Sequence, residues 1–363
     1  MIPIRIQQID LNRYARTIIT SDIHGDYDGF MAMLHQVRFS HNDVLIIVGD
    51  ILEKGDQSLK LLQAIYQLQK EYAIILVLGN NDTFFEEWNH QLFNASQLYG
   101  YIQTHPHSIF HECALDLNID VCDAVSTQHL MDGIFNTYQA ELTYLATCPH
   151  ILESDDFICV HAGISSLDLA TNDIDTCLTT PEFGSHPHKF PKKVIVGHWP
   201  ASNYCDDIIK ATPYFHDNNI ISIDGGNSMK RWGQINYLIY QNHQLEIGFY
   251  DNLPQVQLLD AQAESKDFYS VQFPKTEVKV LSQEEEFIEC EIIHSHQKIK
   301  VTPQNFYHYK GKNYISDITT YQPELKEDEV VSLCRVYDDH ILIKKDGVIG
   351  MYKGNYKFFN TIG

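Results

Sequence analysis

The stretch "DVLIIVGDILEKGD", residues 43 to 56, runs through five aliphatic side chains and then stops at Gly49-Asp50. A run of this length fits a strand buried on both faces, and its ending sets a carboxylate at the strand's carboxyl end. Comparable runs recur as RTIITS (16 to 21), AIILVLG (73 to 79), FICVH (157 to 161), KVIVGH (193 to 198) and NIISID (219 to 224), each closing on Gly, Asp, His or Ser. Between the first strands, Phe30, Met33, Leu34 and Val37 repeat at the spacing of one helix face, as do Leu61, Leu62, Ile65 and Leu68. The start therefore reads β-α-β-α-β, a layered α/β domain whose sites form at the carboxyl ends of its strands.

Residues 83 to 150 break this rhythm with aromatics and helix formers and read as a helical insertion beside the site. QINYLIY and LEIGFY follow at 234 to 250, and NLPQVQLLDAQAESKD (252 to 267) is linker-like. From there, short strands separated by turns such as KGKN and KDG suggest a small all-β barrel. The expected division is 1–255 for the α/β domain and 265–363 for the barrel, with the boundary near residue 260. The barrel's Phe306, Tyr307, Tyr309 and Tyr314 read first as core residues, with a peptide groove as the alternative.

Lys and Arg total 26 against 48 Asp and Glu, a net charge of −22 that repels polyanions and argues against a nucleic-acid partner. A small phosphorylated substrate stays compatible, since a bound divalent metal reverses the local potential. The eight cysteines show no paired spacing and read as free thiols of a reducing compartment. With no signal peptide and no apolar run of spanning length, the expectation is a cytoplasmic protein without membrane contact.

The strand ends carry the chemistry. Asp22 and His24 close the first strand, Asp50 the second, Asn80 the third, His161 the fourth and His198 the fifth. Two carboxylates, one carboxamide and three imidazoles form a mixed oxygen and nitrogen donor set suited to Mn²⁺, Fe²⁺ or Zn²⁺.

In this order, D-x-H-G, G-D-x-x-x-x-G, G-N-x-D, H-A-G and G-H-W-P resemble the calcineurin-like metallophosphoesterase superfamily. Within it they resemble the phosphoprotein phosphatases and their bacterial relatives, the symmetrical diadenosine tetraphosphatases. The resemblance covers residues 16 to about 240. It implies a layered metallophosphoesterase sandwich holding two divalent metal ions, manganese being the first choice with iron or zinc as alternatives. One metal would sit on Asp22, His24 and Asp50, the other on Asp50, Asn80, His161 and His198. The pair would lower the pKa of a shared water for in-line attack at phosphorus. The C-terminal strands resemble the SH3-like modules appended to bacterial proteins, which implies a module that either positions a peptide partner or caps the catalytic domain.

Two departures bear on activity. Lys54 stands where relatives carry an arginine that grips phosphate, keeping the charge but losing the bidentate fork. Relatives pair a histidine general acid with an orienting Asp, and here those positions are Asn81 and Glu53. Asparagine donates no proton at useful pH. Three explanations stand open: Glu53 is the donor, the enzyme acts on activated phosphates, or the site binds without turnover. Lys54, Asn80 and Arg231, next to Lys230, are the candidate phosphate contacts. The expected function is metal-dependent hydrolysis of phosphomonoesters, on a phosphoprotein or a small phosphate ester. The alternatives are a dinucleoside polyphosphate hydrolase and a phospho-ligand binding module.

Overall fold

The computed structural model describes residues 2–359. The first strands are Ile6–Gln8 (β1) and Arg16–Thr20 (β2), followed by helix Tyr27–Gln36 (α1), strand Asp43–Val48 (β3), helix Ser58–Leu68 (α2) and strand Ala73–Val77 (β4). Five helices come next: Phe84–Asn89 (α3), Ala95–Thr104 (α4), Ile109–Asp116 (α5), Ala124–Thr137 (α6) and Gln139–Thr147 (α7). Strands Ile151–Glu153 (β5) and Phe157–Val160 (β6) precede helix Ile174–Thr179 (α8). Strands Lys193–Val196 (β7), Tyr214–Phe215 (β8), Ile220–Ser222 (β9), Ile235–Gln241 (β10) and Gln244–Tyr250 (β11) complete the α/β part.

Two mixed sheets result, ordered β1-β5-β6-β7-β9-β8 and β11-β10-β2-β3-β4. All six residues of β3 are buried, and period-2 alternation decides where each side chain goes. Val44, Ile46 and Val48 join Ile19, Cys159, Ile195 and Ile221 in a core shared by the two sheets. Leu45 and Ile47 point the other way, against α1, α2 and the inserted helices. Full burial of each such side chain stabilises by roughly 1.5–3 kcal/mol, which is why a strand with no polar face forms here. The outer face of the other sheet packs Val160, Val194 and Ile220 on Cys177 of α8 and on Phe183 and Phe190.

The chain falls into two compact units, Met1–Ala201 with Thr212–Asp251, and Ser202–Ala211 with Asn252–Gly363. Residue 1 and residues 360–363 of the expected domains lie outside the described residues. The second unit is all-β, with strands Gln255–Leu258 (β12), Ser270–Val271 (β13), Glu277–Gln283 (β14), Ile288–Ile292 (β15), Lys298–Val301 (β16) and Phe306–Tyr309 (β17). It continues with Lys312–Ile315 (β18), Ile318–Thr319 (β19), Val330–Val336 (β20), Ile341–Lys345 (β21), Val348–Tyr352 (β22) and Tyr356–Phe358 (β23). Where the sequence suggests one small barrel, the described residues form two five-stranded antiparallel sheets, β22-β21-β20-β12-β23 and β16-β15-β14-β18-β17. Each has its own apolar core.

The linker-like 252–267 holds β12, whose Val256 and Leu258 are fully buried in the first of these cores. Polar neighbours Gln255 and Gln257 disguise it, as they must in a strand with one wet face. Of the aromatics read first as core, Phe306 and Tyr314 are half-buried, but Tyr307 and Tyr309 are 46% and 57% exposed on edge strand β17. All eight cysteines are free. Among the described residues, no helix is long and apolar enough to cross a membrane.

One buried histidine ties the first unit's edge together. The Arg5 backbone N–H donates to His150 Nδ1 at 3.1 Å, while the Arg5 guanidinium donates to both carboxylate oxygens of Glu86 at 2.6 and 2.8 Å. Burial and the adjacent Arg5 charge push the His150 imidazole down to about 4. The unfolded chain therefore takes up a proton first as the pH drops. Stability from this group is complete above about pH 6.5 and is lost progressively toward pH 4. His150→Gln is expected to shrink the fall in urea midpoint between pH 7 and pH 5; an unchanged fall would contradict this account.

Candidate metal centre

Strands β2, β3 and β4 are parallel and in register, as are β6, β7 and β9. Loops leaving each set therefore start side by side, and six polar side chains meet on one rim. Asp22, His24 and Asp50 offer ligand atoms all within 4.8 Å of one another, and so do Asp50, His161 and His198. Asp50 is common to both groups. His24 Nε2 lies 3.9 Å from Asp22 Oδ1 and 3.8 Å from Asp50 Oδ2, and His161 Nε2 lies 3.5 Å from Asp50 Oδ2. Asn80 Oδ1 is 3.1 Å from His161 Nε2 and 3.0 Å from His198 Nδ1.

The backbone is bent to achieve this. Asp22, His24, Asp50 and His198 all have φ between 50° and 65°, a region that non-glycine residues occupy at a cost and that clusters at functional sites. Two glycines clear space for the carboxylates. A Cβ on Gly79 would lie 2.2 Å from Asp50 Oδ1, and one on Gly197 would lie 2.2 Å from Asp22 Oδ2. Two histidines are oriented from behind: His161 Nδ1 donates to the Val48 carbonyl at 3.0 Å and His24 Nδ1 to the Leu52 carbonyl at 3.3 Å. A carbonyl only accepts, so each Nδ1 carries a proton and each Nε2 is the ring nitrogen turned toward the cluster.

Burial raises Asp22 well above the ordinary carboxylate range, and Asp224 nearby adds to the rise. Burial opposes ionisation of Asp50 as well, but the His161 imidazole outweighs it and holds that carboxyl low. His161 is correspondingly raised, Asp50 overcoming the burial penalty. Burial lowers His24, and burial with His161 takes His198 down to about 4, leaving both neutral as ligands require.

Two acidic residues that sequence reasoning gave no role complete the site. Asp82 accepts backbone N–H bonds from Asp50 (2.8 Å), Ile51 (3.0 Å), Leu52 (3.2 Å) and Gly79 (2.9 Å), tying the second loop to the third. Asp224 accepts from the Gly226 N–H at 2.7 Å and is fully enclosed. Both are pushed up to about 7, chiefly by burial. Their signal was present in G-N-x-D, where the acid sits in the turn after a strand, and in I-S-I-D-G-G, where it follows the strand's end.

The remaining predicted residues divide. Asn81 is in the cluster: its Nδ2 donates to Asp50 Oδ2 at 2.6 Å and its backbone N–H to Asp50 Oδ1 at 2.9 Å. Glu53 is turned away into the insertion, where it accepts from Tyr101 Oη (2.6 Å), Ser108 Oγ (3.1 Å) and the Ile109 N–H (3.0 Å). Lys54 is half-buried, and among the described residues no hydrogen bond or ion pair engages its ammonium. Arg231 is exposed over the Trp232 ring at 5.2 Å and is not brought to the cluster, whereas the charge of Lys230 acts on Asp224.

Four buried carboxylates around a convergent set of imidazole and amide donors require positive charge among them, and divalent cations fit that need. The description "calcineurin-like phosphoesterase" matches residues 15–223, more than half of the chain and all six of Asp22, His24, Asp50, Asn80, His161 and His198. The chain belongs to that family.

Among named members, the symmetrical bis(5'-nucleosyl)-tetraphosphatase of Wigglesworthia glossinidia brevipalpis is 42% identical over 65 residues, 18% of this chain and 23% of that protein. The enzyme of the same name from Vibrio cholerae serotype O1 is 30% identical over 174 residues, 46% of this chain and 54% of that one. The matched stretches thus span from about a quarter to about half of these relatives' length. A cold-active protein-tyrosine phosphatase of a psychrophilic Shewanella species overlays on 69% of this chain and 81% of its own, with 18% identity and a TM-score of 0.44.

The metallophosphoesterase family uses a dimetal centre, and the two ligand groups sharing Asp50 could hold such a pair. Asp82 acts behind those ligands by fixing three consecutive N–H groups of the Asp50 loop. Loss of a supporting contact of this kind costs about 10–100-fold in metal affinity. Asp82→Ala is expected to weaken Mn²⁺ binding to that extent in calorimetric titration, and affinity equal to the parent's would remove Asp82 from the site.

Proposed function

We propose that this chain is a dimetal-dependent phosphohydrolase whose substrates expel their leaving group without a proton from the protein. Phosphoanhydrides of the dinucleoside polyphosphate kind come first, with aryl phosphomonoesters next and alkyl esters such as phosphoserine last. One observation carries this reading: Asn81, at the position to which the resemblance assigns the general acid, is bonded to Asp50, while Glu53 is committed to three donors of the insertion. A serine alkoxide needs protonation as it leaves, and a nucleotide phosphate or an aryl oxide needs far less. The tetraphosphatase names among the relatives support the same order.

Asp22, His24 and Asp50 would hold one cation, and Asp50, Asn80, His161 and His198 the other. When bound, the two cations supply Lewis acidity and a water of lowered pKa. The chain's own groups do the rest. Val48 and Leu52 carbonyls keep the His161 and His24 rings facing inward. Asn81 restrains both oxygens of Asp50, and its amide can in turn donate to a phosphate oxygen. Lys54, whose ammonium makes no hydrogen bond or ion pair among the described residues, draws the substrate's phosphate to the rim as a point charge rather than a fork.

The test is a panel on Mn²⁺-loaded protein with diadenosine tetraphosphate, nitrophenyl phosphate and a phosphoserine peptide. The first two are expected to exceed the peptide in kcat/KM by about a hundredfold or more, the range that general acid catalysis normally supplies to poor leaving groups. Asp50→Asn is expected to abolish turnover of all three. Equal turnover of the phosphoserine peptide would overturn the leaving-group reading, and full activity of Asp50→Asn would overturn the dimetal one.

A further inference from the structure

We infer that Glu53 is a positioning residue, paired with Glu112 in a reciprocal latch that locks the helical insertion onto the loop carrying Asp50 and Lys54. Each carboxylate covers the start of a helix belonging to the other side. Glu53, from the loop, accepts from the N–H of Ile109, the first residue of α5, and from the hydroxyl of its cap Ser108. Glu112, from α5, accepts from the N–H groups of Ser58 and Leu59, the first two residues of α2, at 2.7 and 2.9 Å. The residue preceding α2, Gln57, makes no side-chain cap bond, so Glu112 supplies what the helix lacks. The first N–H groups of a helix have no partner inside it, and a carboxylate there also faces the positive end of the helix dipole. Tyr101 of α4 adds a third donor to Glu53, and His107 pairs with Asp56 at 2.5 Å beside it.

The latch bears on Lys54 through the backbone. Glu53 and Lys54 are consecutive non-glycine residues with φ of 69° and 70°, a conformation that persists only where its surroundings over-determine it. The restraints are the three bonds on the Glu53 carboxylate and one from the Glu53 N–H to Ser58 Oγ at 3.0 Å. The same loop backs onto the His24 turn: the Gln57 N–H donates to the Gly25 carbonyl at 3.0 Å. A Cβ on Gly25 would lie 2.6 Å from Ser58 Oγ. Releasing the insertion would therefore loosen Lys54 first, and with it the grip on substrate phosphate, without touching a proton-transfer group. The kinetic consequence rests on the phosphohydrolase reading above; the latch itself does not.

Hydrogen exchange followed by mass spectrometry on the full chain decides the latch without turnover. Glu112→Ala is expected to speed exchange by about tenfold or more both in residues 58–62 and in 101–112, and Glu53→Ala to do the same, as loss of a charge-assisted bond predicts. Acceleration confined to the mutated side would overturn it. Tyr101→Phe, which removes one donor of three and keeps the carboxylate, is expected to give a smaller change in the same two segments, and serves if the alanine variants do not fold. On diadenosine tetraphosphate, Glu112→Ala is expected to raise KM about tenfold with kcat retained. Glu53→Gln is expected to keep the parent's pH profile. A lost basic limb in Glu53→Gln with unchanged exchange would make Glu53 a proton donor and end the positioning account.

Discussion

Asp22, Asp50, Asp82 and Asp224 lie on one rim of the α/β unit, each 3% exposed or less. Carboxylates so placed repel one another and have given up water, which is costly unless donors and cations replace it. Much of the local architecture follows from meeting that requirement. Four backbone N–H groups converge on Asp82, the Gly226 N–H meets Asp224, the His198 N–H meets Asp22, and Asn81 gives two N–H groups to Asp50. Left-handed backbone at Asp22, His24, Asp50 and His198 is the conformational cost of aiming these groups. Divalent cations would complete the neutralisation, in keeping with the family to which the chain belongs.

The two sheets make this possible because apolar side chains fill the core they share. β3 is buried on both faces, so it cannot yield toward solvent when the loop at its end is strained. That loop is held from three directions: by Asp82 below, by the His24 turn at its side and by the inserted helices above Glu53. Glu53, at the position where the resemblance leads one to expect Asp, is thus built into the packing of the insertion. The longer Glu53 side chain reaches a helix cap in the insertion, and Asn81 secures Asp50.

Much of the architecture was legible because strands and amphipathic helices announce themselves by period. The runs at 16–21, 43–49, 73–79, 157–161, 193–198 and 219–224 all contain strands, and the ligand cluster followed from what ends them. Less legible was β12, where alternating Gln and aliphatic residues resemble a linker until β20 and β23 pair on either side. The segment 202–211 joins the second unit although its neighbours on both sides belong to the first, a matter of long-range packing that no local pattern encodes. Asp82 and Asp224 carried the right residue type at the right place, yet their task is visible only as hydrogen bonds to loops distant in the chain.

By itself, the sequence determined that Asp22, His24, Asp50, Asn80, His161 and His198 would stand at strand ends, since hydrophobic periodicity sets where a buried strand stops and which residue comes next. Tertiary structure alone decided what the variable neighbours do. Glu53 has two possible destinations, the cluster or the insertion, and the difference is which donors lie within 3.1 Å once α4 and α5 have packed. Hydrogen bonding acts over a few ångströms and between residues some fifty positions apart here, so a carboxylate's role is settled by packing and not by its place in a motif.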